Sequence, residues 1–111
     1  MINLDYLRET TGNDEDIVKS ILGTFVEQVP ADVQKLDEAI KAADYPQIRA
    51  WAHKLKSSIA IVGMTNTSRL FFELQELGGN RGDIETIRSL FNRVMIDYEQ
   101  ALAEIKAIIE E

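Results

Sequence analysis

The stretch Pro46-Gln47-Ile48-Arg49-Ala50-Trp51-Ala52-His53-Lys54-Leu55-Lys56-Ser57-Ser58-Ile59-Ala60-Ile61-Val62 decides how this chain folds, because its apolar residues recur with the period of a helix. On a helical wheel Ile48, Trp51, Leu55, Ile59 and Val62 share one face and predict a core stripe. His53 falls almost opposite the middle of that stripe, among Arg49, Ala50, Lys56, Ser57 and Ala60. Lys56 and Ser57 stand three and four positions beyond His53, where side chains meet on a helix surface. Asp44 is placed to cap this helix, Pro46 suits its first turn, and Gly63 is placed to end it.

Helix signals continue on both sides. Towards the N-terminus, Leu4 to about Thr11 reads as a short helix with Asn3 as cap and Gly12 as stop. Asn13 then predicts the cap of a second helix, whose first turn holds Asp14, Glu15 and Asp16 at the positive end of the helix dipole. Its apolar residues Ile17, Ile21, Phe25 and Val29 are spaced four apart, and Pro30 is expected to interrupt or restart it. Val33, Leu36, Ile40 and Ala43 carry the continuation. Towards the C-terminus, Thr65 to Ser68 offer capping side chains for a helix with Leu70, Leu74 and Leu77 on one face. Gly78-Gly79 is expected to stop that helix. A last helix is predicted from about Asp83 to Ile109, with Ile84, Ile87, Phe91, Val94, Tyr98, Leu102 and Ile105 as its stripe. No run alternates with period two, so no strand is expected. Short connections between long amphipathic helices favour antiparallel neighbours. The expected fold is all-α: an antiparallel up-down four-helix bundle with an additional short N-terminal helix, as one domain over residues 1–111.

The chain of 111 residues is 45% hydrophobic and 28% charged, ordinary values for one globular domain. It has no cysteine and one histidine, which excludes disulfides and thiolate metal sites and leaves no usual zinc spacing. No metal or other cofactor is expected. Asp5, Arg8 and Glu9 stand where a signal peptide would be apolar, and the run from Ile59 to Met64 is too short to span a bilayer. A cytoplasmic protein without membrane association is therefore expected. The net charge of −7 argues against nucleic-acid binding. Its distribution is uneven, since Tyr45 to Phe72 holds Arg49, Lys54, Lys56 and Arg69 but no Asp or Glu. A basic island in an acidic chain points to a surface that meets something negative.

Several features have plain structural readings. Trp51 borders the core stripe and reads as packing. The Asp14–Asp16 cluster and Glu110-Glu111 read as solvated helix ends. Gly78-Gly79 follows no strand and is no phosphate loop. Met64 and Ile61 lie towards the His53 side, available either to a partner or to packing between helices. An imidazole that titrates near neutral pH is a competent nitrogen nucleophile. A phosphoryl group on it would bring about two negative charges, which an adjacent ammonium and hydroxyl can hold. Ala50 and Ala60 keep the approach open.

Ala52-His53-Lys54-Leu55-Lys56-Ser57-Ser58, followed by Gly63 ten residues after the histidine, resembles the motif of histidine-containing phosphotransfer (HPt) domains. The resemblance extends to Phe25, Pro30, Leu36, Ala39 and Asp44, and covers nearly the whole chain. It implies a four-helix bundle that relays a phosphoryl group between receiver-domain aspartates in two-component signalling, without a nucleotide site and without being an enzyme in its own right. By that resemblance His53 is the phosphoacceptor through Nε2, Lys56 steadies the phosphoryl group, and Gln75 orients the imidazole. Ser57 stands where the family usually has glycine; its hydroxyl is expected to meet the phosphate. Arg49, Ala50, Lys54, Ala60 and Met64 are the expected partner-binding residues. The implied partners are a response-regulator receiver domain, which would supply the only divalent cation, and an upstream hybrid histidine kinase; the chain itself is expected to be a monomer. Two other readings of the same residues are a helical adaptor that binds a receiver or kinase without accepting phosphate, and a metal-dependent helical enzyme. The latter would need a Glu-x-x-His motif, and residue 50 is alanine.

Overall fold

A computed structural model describes residues 1–111 and contains only helices: α1 (Asp5–Thr10), α2 (Glu15–Lys41), α3 (Tyr45–Ile61), α4 (Thr65–Gly79) and α5 (Ile84–Ile109). Helices α2 to α5 each pack on their neighbour in sequence, and α5 closes back on α2. At 1.5 Å per residue the 27 residues of α2 span about 40 Å, which accounts for a long axis of 43 Å. The expected antiparallel four-helix bundle with a short N-terminal helix is what forms.

The buried residues follow one spacing in all four long helices. The seam is Val18, Leu22, Phe25, Val29, Asp32, Leu36 and Ala39 in α2, with Val33 and Ile40 also buried beside it as expected, then Ile48, Ala52, Leu55, Ile59 and Val62 along α3. In α4 the seam is Thr67, Phe71, Leu74 and Gly78, with Gln75 buried next to it; in α5 it is Ile87, Phe91, Val94, Tyr98, Ala101 and Ile105. Steps of four and three alternate throughout, the pattern that keeps a seam facing its partners in a left-handed bundle. A strict step of four drifts off that seam. Hence Ile17 is exposed and Ile21 only half buried, whereas Val18 and Leu22 are fully buried. For the same reason Phe71 fills the core of α4 while Leu70 and Leu77 lie at its edge. Ala43 is exposed, beyond the end of α2.

The helix ends also depart from expectation in instructive ways. Asp14, not Asn13, caps α2, accepting from the amides of Asp16 and Ile17 at 3.0 and 3.2 Å. Asn13 is needed elsewhere: with φ of 60° its amide closes the end of α1 on the Arg8 carbonyl. Pro30 does not break α2, which runs through it to Lys41; only the one hydrogen bond that proline cannot donate is forfeited. The hydroxyls of Thr67 and Ser68 do not cap α4. They reach sideways instead, to Asp97 Oδ2 at 3.3 Å and the Lys56 carbonyl at 2.9 Å. Helix α4 does end at Gly79, as expected, but neither glycine turns the chain. The left-handed residue that closes the end is Arg81, at φ of 53°, with the Gly82 amide bonded to the Leu77 carbonyl.

Two glycines are fixed by what lies against them. Gly63 follows α3 with φ of 76°, and a Cβ there would collide with the Asn3 carbonyl. The N-terminal strand of chain is thereby laid over the end of the bundle, with the Asn3 amide bonded to the Val62 carbonyl and Leu4 and Leu7 buried beneath. Gly78 lets α4 approach α3 backbone to backbone, since a Cβ would stand 2.9 Å from the Arg49 amide nitrogen and 3.1 Å from Ile48 Cγ2.

Gly78→Ala is accordingly expected to destabilise the protein. Alanine gains about 1 kcal/mol of helix preference over glycine, but overpacking a close contact costs about 1–3 kcal/mol. A urea midpoint at or above wild type would contradict this. Ala43 is the opposite case. It sits at φ of 49° in the α2–α3 turn, where its amide bonds the Ile40 carbonyl and the Asp44 amide the Ala39 carbonyl. A left-handed alanine costs about 1–2 kcal/mol, so Ala43→Gly should raise the urea midpoint with an unchanged m-value.

Candidate functional site

The close approach of α3 and α4 sets a fixed antiparallel register between them. Three levels of contact follow from it: Arg49 against Gly79, His53 against Gln75, and Lys56 against Phe72. Gln75 is buried next to the α4 seam, while His53 is exposed on α3. The His53 Nδ1 and Gln75 Oε1 atoms are 3.0 Å apart. An amide oxygen only accepts, so Nδ1 carries the proton and donates it. The lone pair of the neutral ring is then on Nε2.

Around the imidazole, Pro46, Arg49, Ala50 and Gln75 line a shallow depression with His53. Ala50, Ser57 and Ala60 are exposed, as the helical wheel requires of residues sharing a face with His53. The Arg49 side chain lies along the glycine pair, with its Cδ, Nε and Cζ within 3.3–3.9 Å of where a Gly79 Cβ would be. Lys56 is half buried, and its ammonium rests over the exposed ring of Phe72 at 5.3 Å from the centroid. His53 therefore has one cation a turn before it and another a turn after it, each lying on α4.

The other expected residues are placed differently. Met64 is 4% exposed and belongs to the core, where it enters α4 as its N-cap residue, so it is not available to a partner. Its neighbour Ile61 is half exposed and lines an apolar groove between α2 and α3 with Phe25 and Val29. Lys54 lies at the edge of that groove. Its ammonium pairs with both oxygens of Asp32, at 3.1 and 3.2 Å, and stands 5.4 Å from the centre of the Trp51 ring. Asp32 occupies a seam position of α2 and is 6% exposed, so it needs this cation. The basic island is therefore one charge weaker in space than along the sequence. Trp51 is half buried, donates from its indole to Gln47 Oε1 at 3.0 Å, and also has Lys35 at 5.6 Å from its centroid.

Sequence reasoning missed Phe72, Asp32 and the role of Gly78-Gly79. Phe72 precedes Gln75 by three residues, which on a helix places the two on one face; that was the available signal. Asp32 announces itself only once the four-three seam is known.

An exposed imidazole on a helical bundle, with one nitrogen against a buried amide, is the arrangement that the resemblance to phosphotransfer domains implies. The family model for the Hpt domain matches residues 20–110. The chain thus belongs to the Hpt domain family, whose members are phosphotransfer intermediates. It is also similar to multistep phosphorelay regulator 1 of Schizosaccharomyces pombe (strain 972 / ATCC 24843), at 31% identity over 78 residues. That alignment covers 69% of this chain and 26% of the relative, so the chain matches about a quarter of that protein. No solved structure matches the chain. No helix is long and apolar enough to cross a membrane.

The Gln75 contact has a direct spectroscopic consequence. In Gln75→Leu the neutral imidazole loses its bias towards the Nδ1–H tautomer. The ¹⁵N chemical shifts of the two ring nitrogens should converge, the pyridine-like signal of Nε2 weakening. An unchanged pair of shifts would show that Gln75 does not hold the ring.

Proposed function

We propose that this chain carries a phosphoryl group on His53 Nε2 between receiver-domain aspartates in two-component signalling. The observation that carries this reading is the Nδ1–Gln75 contact, which leaves the Nε2 lone pair free on an exposed ring. In the forward step that lone pair attacks the phosphorus of an aspartyl phosphate in line. The N–P bond forms as the O–P bond breaks, and the aspartate leaves as a carboxylate. The ring takes the positive charge, with its proton still on Nδ1 against Gln75 Oε1. The reverse step hands the group to a second aspartate.

The transferring group spreads its charge over three oxygens, so positioning and cations do most of the work. Lys56 supplies an ammonium one turn from the nucleophile, and Ser57 a hydroxyl where the family usually has glycine. Arg49 and Ala50 border the ring and, with Ala60 further along the exposed side of α3, form the face offered to a partner; Lys54, held by Asp32 on the opposite flank, is not part of it. The receiver's acidic pocket, with its divalent cation, meets the cations of the acid-free stretch between Tyr45 and Phe72 that remain unpaired, Arg49 and Lys56 nearest the ring. No cofactor is assigned to this chain, and the sequence contains no nucleotide-binding motif. Phosphate would enter from a hybrid histidine kinase through its receiver domain, in the cytoplasm.

A panel of receiver domains loaded from acetyl phosphate tests this reading. At least one should label the wild-type protein with acid-labile, base-stable phosphate, and His53→Gln should abolish labelling while leaving the helical circular dichroism intact. Full labelling of His53→Gln would overturn the assignment. Binding of a loaded receiver with no transfer in either protein would favour an adaptor that uses the same face.

A further inference from the structure

The exposed aromatic on α4 bears on this reaction. Phe72 is 43% exposed, although the neighbouring Phe71 is fully buried. Two adjacent residues of a helix point about 100° apart, so burying Phe71 turns Phe72 out of the core. What Phe72 does contact is Lys56: the ammonium stands 5.3 Å from the centre of its ring. The α3–α4 register makes this the level next to His53–Gln75, one helical turn along. Lys56 is three residues from His53 and on its side of α3.

A lysine side chain with four rotatable methylenes loses conformational entropy when it is held at one place. Left unsupported, its ammonium would sample a wide arc of solvent around α3. The face of an aromatic ring is negative at its centre and attracts a cation without neutralising it. An acidic partner there would tie the ammonium down, as Asp32 ties Lys54 on the opposite flank of the same helix. Phe72 confines Lys56 while leaving its charge available. A phosphoryl dianion attracts an ammonium far more strongly than a ring face does, so the ammonium can leave the ring when phosphate arrives.

We propose that Phe72 is a positioning residue for phosphoryl transfer: its ring parks the Lys56 ammonium beside His53, from where it swings onto the transferring group. The proposal rests on His53 as the phosphoacceptor and adds a residue that acts only through Lys56. The chemical step is the one already written, and no proton or further bond change is added.

The test is a double-mutant cycle on the rate of phosphate transfer, using the receiver domain that labels wild-type protein fastest. Phe72→Leu keeps an apolar side chain and removes the ring face; it should slow transfer by about threefold to fivefold. Phe72→Tyr restores the ring and should recover the wild-type rate. In a Lys56→Met background, Phe72→Leu should cause no further loss. Without any phosphate present, the Lys56 ε-methylene protons should be shifted upfield by the ring in wild type and not in Phe72→Leu. A wild-type rate in Phe72→Leu, an equal loss in both backgrounds, or an absent upfield shift would each overturn the proposal while leaving His53 as the carrier. Equal loss in both backgrounds would instead mark Phe72 as a contact for the receiver itself. If no receiver labels wild-type protein, the carrier reading fails, and this proposal fails with it.

Discussion

Where α4 crosses the backbone of Ile48 and Arg49, Gly78 has no side chain, and the two helices touch main chain to main chain. This contact fixes the separation of α3 and α4 and, with it, which residues stand opposite each other. A wider gap would take Gln75 Oε1 out of hydrogen-bond reach of His53, since 3.0 Å leaves little slack for a useful bond. It would also draw the Phe72 ring away from the Lys56 ammonium. The imidazole itself is on the surface, yet its orientation is set by packing at the interface of two helices. A glycine near the end of α4 thus governs the geometry at a histidine about one turn away along α3.

The polar groups that enter the bundle are few and each has one partner across a helix boundary. Asp32 of α2 meets Lys54 of α3, Gln75 of α4 meets His53 of α3, and Thr67 of α4 meets Asp97 of α5. Buried side chains of this kind are costly when unpaired, so each pair favours one register over its neighbours. Two of the three converge on adjacent residues of α3. His53 and Lys54 point to opposite flanks of that helix, one to α4 and one to α2. The positive charge along α3 is therefore divided. Lys54 is committed to holding the bundle together, and Arg49 and Lys56 remain for whatever approaches the imidazole.

The fold class and the histidine face were legible because α3 presents both the core period and its polar opposite in seventeen residues. A spacing of four, extended along α2, chose Ile17 and Ile21 instead of Val18 and Leu22 because their side chains are alike and only the bundle's alternating step separates them. Pro30 gave a correct local signal, a missing donor, that the packing of a 27-residue helix overrides. Gly78-Gly79 was read by its usual meaning as a stop. The helix does end there, but the pair's second meaning, a place for another backbone, requires knowing what lies opposite. At the site, the imidazole and the motif lysine were visible from their spacing. The Phe72 ring and the Asp32 carboxylate were not, because each matters through a residue on a different helix.

Trp51 adds a property of a different kind. It is the only indole in the chain, two residues before His53, with ammonium groups from both α2 and α3 near its ring and its N–H on Gln47. Indole emission responds to nearby charge, and one of those charges, Lys54, is held by Asp32 at the edge of the groove between α2 and α3, on the flank away from the imidazole. The molecule thus contains its own optical gauge. Any acidic surface that settles over that groove and redistributes Lys54 between Asp32 and itself changes the colour and intensity of a single, assigned fluorophore, with no label attached.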